Sequence, residues 1–220
     1  ISLFGQTFIV SNSTTRYDLV LLRNAEKISL TDQNNTAILI VSGKKYIIEL
    51  LSASTTSATI KVTDEIGASQ IKEVTEGGSK KIGDLIVEVV NADANNFGFS
   101  ATLIVGVEKV IFRNWQPVLV GEDLTVLEGT FVTFAGSVSA LNGISISVSA
   151  PDSDHDFLHA GETFLDPVFG TFRLEFAGLN IPLYDVENRR ENIVINSEGS
   201  DKSILSFMNY KGEALNSWVW

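Results

Sequence analysis

The sequence contains no cysteine, which removes disulfide staples, thiol catalysis and cysteine-bound zinc together. A chain of 220 residues can bury a sizeable core without such staples. No apolar run approaches the roughly 18 residues that a membrane-spanning helix needs, so no transmembrane segment is expected. Basic charge is scarce: 16 lysines and arginines stand against 27 acids, for a net charge of −11. Nucleic acid and anionic membrane both call for a basic face, and neither is an expected partner. Helical periodicity is missing as well, with no window of roughly 12 residues keeping a 3.6-residue apolar repeat. The chain opens at Ile1 without methionine, leader or cleavage site, and is expected to be an excerpt or processed piece.

What is present is strand after strand. Hydrophobic residues make up 44% of the chain, enough for a packed core. Ala58, Ile60 and Val62 alternate with Thr59, Lys61 and Thr63, the period of two that marks a half-buried strand. The run ISISV at 144–148 alternates as cleanly, and "KKYIIELL", "DLIVEVV", "ATLIVGV" and "TFRLEF" are short runs rich in β-branched and aromatic residues. Glycines punctuate these runs at the spacing of sandwiches and barrels. The expected fold is all-β, with two tandem sandwich-like, immunoglobulin-like modules and little helix. The first module is expected over 1–110, with a compact unit at about 37–109, and the second over 111–220. "NWQPVLVGEDL" reads as the connector.

The densest chemistry lies in "APDSDHDFLHAGETFLDPVFG", residues 150–170. Asp152, Asp154 and Asp156 fall at alternate positions, a spacing that can turn several carboxylates onto one calcium ion. An EF-hand is excluded, because its glycine at loop position six would be Phe157 and its bidentate glutamate at twelve would be Thr163. His155 and His159 would share a face on a helix, as zinc ligands do, but the acidic start of the segment is poor in helix formers. A solvated corner is the plainer reading. Paired carboxylates also suit a glycosidase, though any acidic β protein offers such pairs. No Gly-x-Ser-x-Gly nucleophile motif and no phosphate-cradling glycine loop occurs, and no catalytic residue is assigned. Asp166-Pro167 and Gly170 bracket a turn, with Phe164, Phe169, Phe172 and Phe176 as apolar anchors. Trp115, Trp218, Trp220 and Tyr184 are candidate sugar-stacking rings, although aromatics in β proteins are more often core. Asn12 and Asn34 head glycosylation sequons, at no more than chance frequency.

Several phrases together resemble archaeal surface-layer proteins of small, genome-reduced lineages. "LFGQTFIV" at 3–10 looks like the family's opening strand. "GKKYIIELLSAS", "ATIKVTD", "VTEGGSKKIGDLIVEVV" and "SATLIVGVEKV" are similar to its recurring β module. "DFLHAGETFLDPVFGTFRLEFAGL" looks like its acidic turn followed by Gly-Glu-x-hydrophobic-x-Asp-Pro-x-Phe-Gly-x-Phe. The likeness covers about two thirds of the chain. It implies a secreted, non-enzymatic structural protein at the cell surface that assembles with itself into a two-dimensional lattice. Its partners would be further copies and other envelope proteins or glycans, with glycosylation and calcium as accompaniments. A carbohydrate-binding or adhesive surface module is the alternative expectation.

Overall fold

The computed structural model describes residues 1–178, 193–199, 202–208 and 213–219. Three strands open the chain: β1 (Ser2–Leu3), β2 (Gln6–Val10) and β3 (Asp18–Arg23). Eight follow: β4 (Glu26–Thr31), β5 (Thr36–Val41), β6 (Lys44–Ala53), β7 (Ser57–Thr63), β8 (Ser69–Thr75), β9 (Ser79–Ile82), β10 (Leu85–Asn95) and β11 (Gly98–Gly106). The chain then returns to the first group with β12 (Glu108–Arg113), β13 (Gln116–Val120), β14 (Thr125–Ser137) and β15 (Ala140–Val148). A short ribbon of β16 (Glu162–Leu165) and β17 (Arg173–Phe176) precedes a three-stranded sheet of β18 (Val194–Ser197), β19 (Ser203–Met208) and β20 (Ala214–Val219). No helix occurs among the described residues, so the protein is all-β and sandwich-like.

The arrangement is nested. Strands β4 to β11 form two four-stranded sheets, ordered β4-β11-β10-β9 and β5-β6-β7-β8. Alternation decides which side chains meet between them. Tyr46, Ile48 and Leu50 of β6, Ala58, Ile60 and Val62 of β7, and Leu85, Val87 and Val89 of β10 share one buried core. The β5–β6 hairpin turns on Ser42-Gly43, both at positive φ (51° and 80°). That is the twist a two-residue connection needs, and glycine takes it without a Cβ penalty.

This sandwich is an insert in a seven-stranded sheet ordered β1-β2-β3-β12-β13-β14-β15. Strand β3 pairs with β12 from Asp18↔Arg113 to Arg23↔Glu108, so the chain leaves and rejoins the sheet at adjacent strands. Phe8, Leu21, Val110, Phe112, Val118 and Val132 build the second core. The other face of β3 packs Leu22 against Ile86 and Ile104 of the insert. Buried on both faces, β3 reads as the nearly unbroken apolar run DLVLLR.

The chain therefore divides differently from the expected 1–110 and 111–220. Residues 1–158 and 163–175 form one compact unit, and 159–162 with 176–220 form another. A boundary at 110–111 would cut β12 between Val110 and Ile111, both buried and both paired on two sides. The supposed connector holds β13, whose Val118 is fully buried. Pro117 is accommodated there by an irregularity in the β13–β14 register between Gln116 and Val118.

Candidate functional site

The acidic run at 152–156 is an exposed set of turns, not a helix. Asp152 Oδ1 accepts the backbone N–H groups of Asp154 (3.0 Å) and His155 (3.1 Å), and His155 Nδ1 donates to the same oxygen at 2.6 Å. The His155 hydrogen bond is the main cause that holds the Asp152 carboxyl below its ordinary value. Asp154 and Asp156 are exposed. Among the described residues, no three acid or histidine side chains are grouped so as to share an ion. Without a helix, the spacing of His155 and His159 does not bring them to one face. His159 donates its backbone N–H to Glu162 Oε2 at 2.7 Å, a local turn.

The following segment is more tightly built. Asp166 is buried, and its carboxylate accepts the N–H groups of Val168 (2.9 Å) and Phe169 (3.2 Å). Gly170 N–H closes the turn on Asp166 O at 2.9 Å. Arg23 donates to Val168 O and Gln6 to Phe169 O, tying the turn to β3 and β2. The Phe169 ring, 4% exposed, enters the second core with ring centroids 4.7 Å from Phe4, 6.2 Å from Phe8 and 6.4 Å from Phe112. Of the four expected anchors, Phe169 is buried and Phe164 half-buried, whereas Phe172 and Phe176 are exposed. The correction has a simple cause: the turn inserts one ring, and the strand that follows, RLEF, is exposed along its whole length.

Both sequon asparagines are exposed. Asn12 follows β2, and Asn34 lies in the β4–β5 turn, where its N–H meets Thr31 Oγ1 at 3.1 Å. Trp115 is 65% exposed at the tip of the β12–β13 hairpin, with Phe131 edge-on at 6.1 Å. Its φ of +63° is one that a hairpin normally gives to glycine or asparagine. The side chain of Trp218, and Trp220 and Tyr184 altogether, lie outside the described residues.

Two features were not singled out in the sequence. Glu88 is fully buried in the middle of β10, where it accepts Ser11 Oγ–H at 2.5 Å and Asn12 N–H at 2.7 Å. It thereby ties the insert to the segment after β2. The second is a group of exposed isoleucines on a sheet face that also carries Lys45 and the Lys61–Glu49 pair. Ile38 and Ile40 of β5 are 60% and 69% exposed, and Ile47 of β6 and Ile71 of β8 are also exposed. Ile38 sits directly opposite Ile47 in the ladder. The signal was available, because AILIV at 37–41 is apolar at every position and so carries apolar side chains on both faces. Compared with known proteins, the chain matches no family model, no curated protein and no solved structure.

Proposed function

We propose that the chain is a non-enzymatic structural component of a cell-surface layer, outside the cell, that associates with further copies of itself into a two-dimensional lattice. The observation that carries the reading is the β5 edge. Strand β5 ends its sheet with β6 on one side and no strand on the other among the described residues. It therefore offers unpaired backbone donors and acceptors beside a face on which Ile38, Ile40 and Ile47 are exposed, next to Lys45 and the Lys61–Glu49 ion pair. Natural sheets protect such edges with charge, proline or a bulge. TAILIV has none of these. A second β5 can pair antiparallel about a two-fold axis, which sets Ile38 of one copy beside Ile40 of the other.

One two-fold contact yields only a dimer, and a lattice needs at least one further contact. The resemblance to archaeal surface-layer proteins supports a lattice, and the exposed Asn12 and Asn34 suit a glycosylated surface. A calcium contribution through Asp152, Asp154 and Asp156 belongs to the same proposal and is tested separately. The experiment is sedimentation velocity over a concentration series, with negative-stain microscopy of the concentrated full chain. The expected result is concentration-dependent association and ordered sheets, both lost in Ile38→Lys/Ile40→Lys. A wild type that stays monomeric, or stops at dimers without sheets, overturns the lattice reading.

A further inference from the structure

Independently of self-association, we infer that a groove at one end of the seven-stranded sheet binds an acidic saccharide, a sugar chain bearing carboxylates. The groove has a volume of about 560 Å³, within the usual size of small-ligand sites. Three segments frame it: the loop entering β3, the β12–β13 hairpin tip, and the far end of the β14–β15 hairpin. Phe134 and Val138, both half-buried, give it apolar lining.

Its polar groups are mostly donors. Arg113 is held by Asp18 through two bonds, Nε–H to Oδ1 at 2.6 Å and Nη2–H to Oδ2 at 2.8 Å. Its Nη1 group takes no part in that pair and stays available. Arg16 lies over the Tyr17 ring, 4.4 Å from the centroid, and meets no carboxylate among the described residues. Asn114 Oδ1 accepts Phe134 N–H at 2.8 Å, which commits its acceptor and leaves the amide N–H₂ free to donate. Gln116 adds a second amide. Two guanidinium groups against one carboxylate make this spot locally positive in a chain of net charge −11.

An acceptor-rich, negatively charged ligand fits that set. Planar amides and guanidinium groups meet hydroxyl and carboxylate oxygens, and the face of the exposed Tyr17 ring turned away from Arg16 offers a flat surface to sugar C–H groups. One excess positive charge is far too little for nucleic acid, which engages several phosphates at once. An acidic peptide would also answer the guanidinium and amide donors, and the exposed Tyr17 ring, a platform for sugar C–H groups, is what favours the saccharide.

The test is calorimetric titration of the full chain with tetragalacturonate, its methyl ester and hexaglutamate. The acidic sugar should bind saturably. Esterification, or Arg16→Gln, should weaken it at least tenfold, while the thermal midpoint of the variant stays at the wild-type value. Tyr17→Leu should weaken binding as well, since it removes the ring without touching charge. No saturable binding up to about 10 mM, ten times a weak 1 mM affinity, overturns the inference. Equal binding of the ester, or tighter binding of hexaglutamate, overturns it too, the latter in favour of a peptide site.

Discussion

Replacing Phe169 with alanine tests whether the 166–170 turn is a structural plug. The ring is buried among Phe4, Phe8 and Phe112. An aromatic side chain of this kind removes about 150–200 Å² from water, worth about 4–5 kcal/mol at ~25 cal/mol per Å². Whether the loss is felt in full depends on whether the site can collapse. Here it is held open. The backbone of Val168 and Phe169 is pinned by Asp166 on the N–H side and by Arg23 and Gln6 on the carbonyl side. A cavity of about 100 Å³, lined in part by Leu3, Ile146 and Phe172, already adjoins the ring and would be enlarged. The loss should therefore reach about 4 kcal/mol, inside the 3–5 kcal/mol range for such truncations. At roughly 2–4 °C per kcal/mol for a unit of this size, the midpoint should fall by about 8–16 °C. Urea denaturation followed by circular dichroism gives both midpoint and slope, with Phe172→Ala as the control expected to stay within about 0.5 kcal/mol. An unchanged midpoint at an unchanged slope would refute the plug.

Glu88→Ala leaves the Asn12 N–H without its acceptor and the buried Ser11 hydroxyl with only Ser13 Oγ, at 2.6 Å, to donate to, and should cost about 1–3 kcal/mol in the same assay. Glu88→Gln, which keeps one acceptor oxygen, should cost clearly less; equal costs would mean that the carboxylate's bonds do not matter. Asp18 is held below its ordinary value chiefly by its hydrogen bonds to Arg113, so in acid the unfolded chain takes up this proton before the folded one does. The stabilisation is complete above the unfolded value near 3.8 and is lost as pH falls through the lower folded value. Arg113→Gln should flatten that part of the stability curve, and an unaltered acid limb would count against the pair. Calcium at the 152–156 loop should bind no tighter than about 10⁻⁴–10⁻³ M, as in weak extracellular sites, and binding should vanish when all three aspartates become asparagine. Binding that survives the triple variant would move the ion elsewhere.

Strand identity was legible because alternation is local. ATIKVT and ISISV declare one buried face without help from the rest of the chain, and the Asp-Pro-Val-Phe-Gly turn announces itself through residues with narrow backbone preferences. The nesting was not legible, because it depends on which strands pair. β12 finds its partner in β3, on the far side of the whole insert, and nothing in the composition of either strand records that distance. Glu88 shows the same limit in a single residue. Its hydrogen-bonding partner Ser11 lies 77 positions away, so inside LIVEVV the glutamate reads as the solvent side of a strand. The acidic run shows the limit in the other direction: alternate aspartates imply convergence only if the backbone is extended or looped around an ion, and spacing alone does not tell which path the loop takes. Here Asp152 Oδ1 accepts the N–H groups of its own turn.

An exposed isoleucine alone carries no message, since β-branched residues favour strands wherever they sit. The β5 edge weighs more because Ile38, Ile40 and the facing Ile47 are neighbours, and because the strand that bears two of them has an open side. Strand propensity and partner contact can be separated by one substitution. Threonine keeps the β-branch and therefore most of the propensity, but replaces a methylene-bearing arm with a hydroxyl. If the isoleucines serve only to stiffen β5, Ile38→Thr/Ile40→Thr should leave both stability and sedimentation within experimental scatter. If they serve contact between copies, the monomer should keep its denaturation midpoint while association weakens at least tenfold. A variant that loses stability and association in parallel would mean that the face supports its own sheet, and the β5 edge would no longer support assembly.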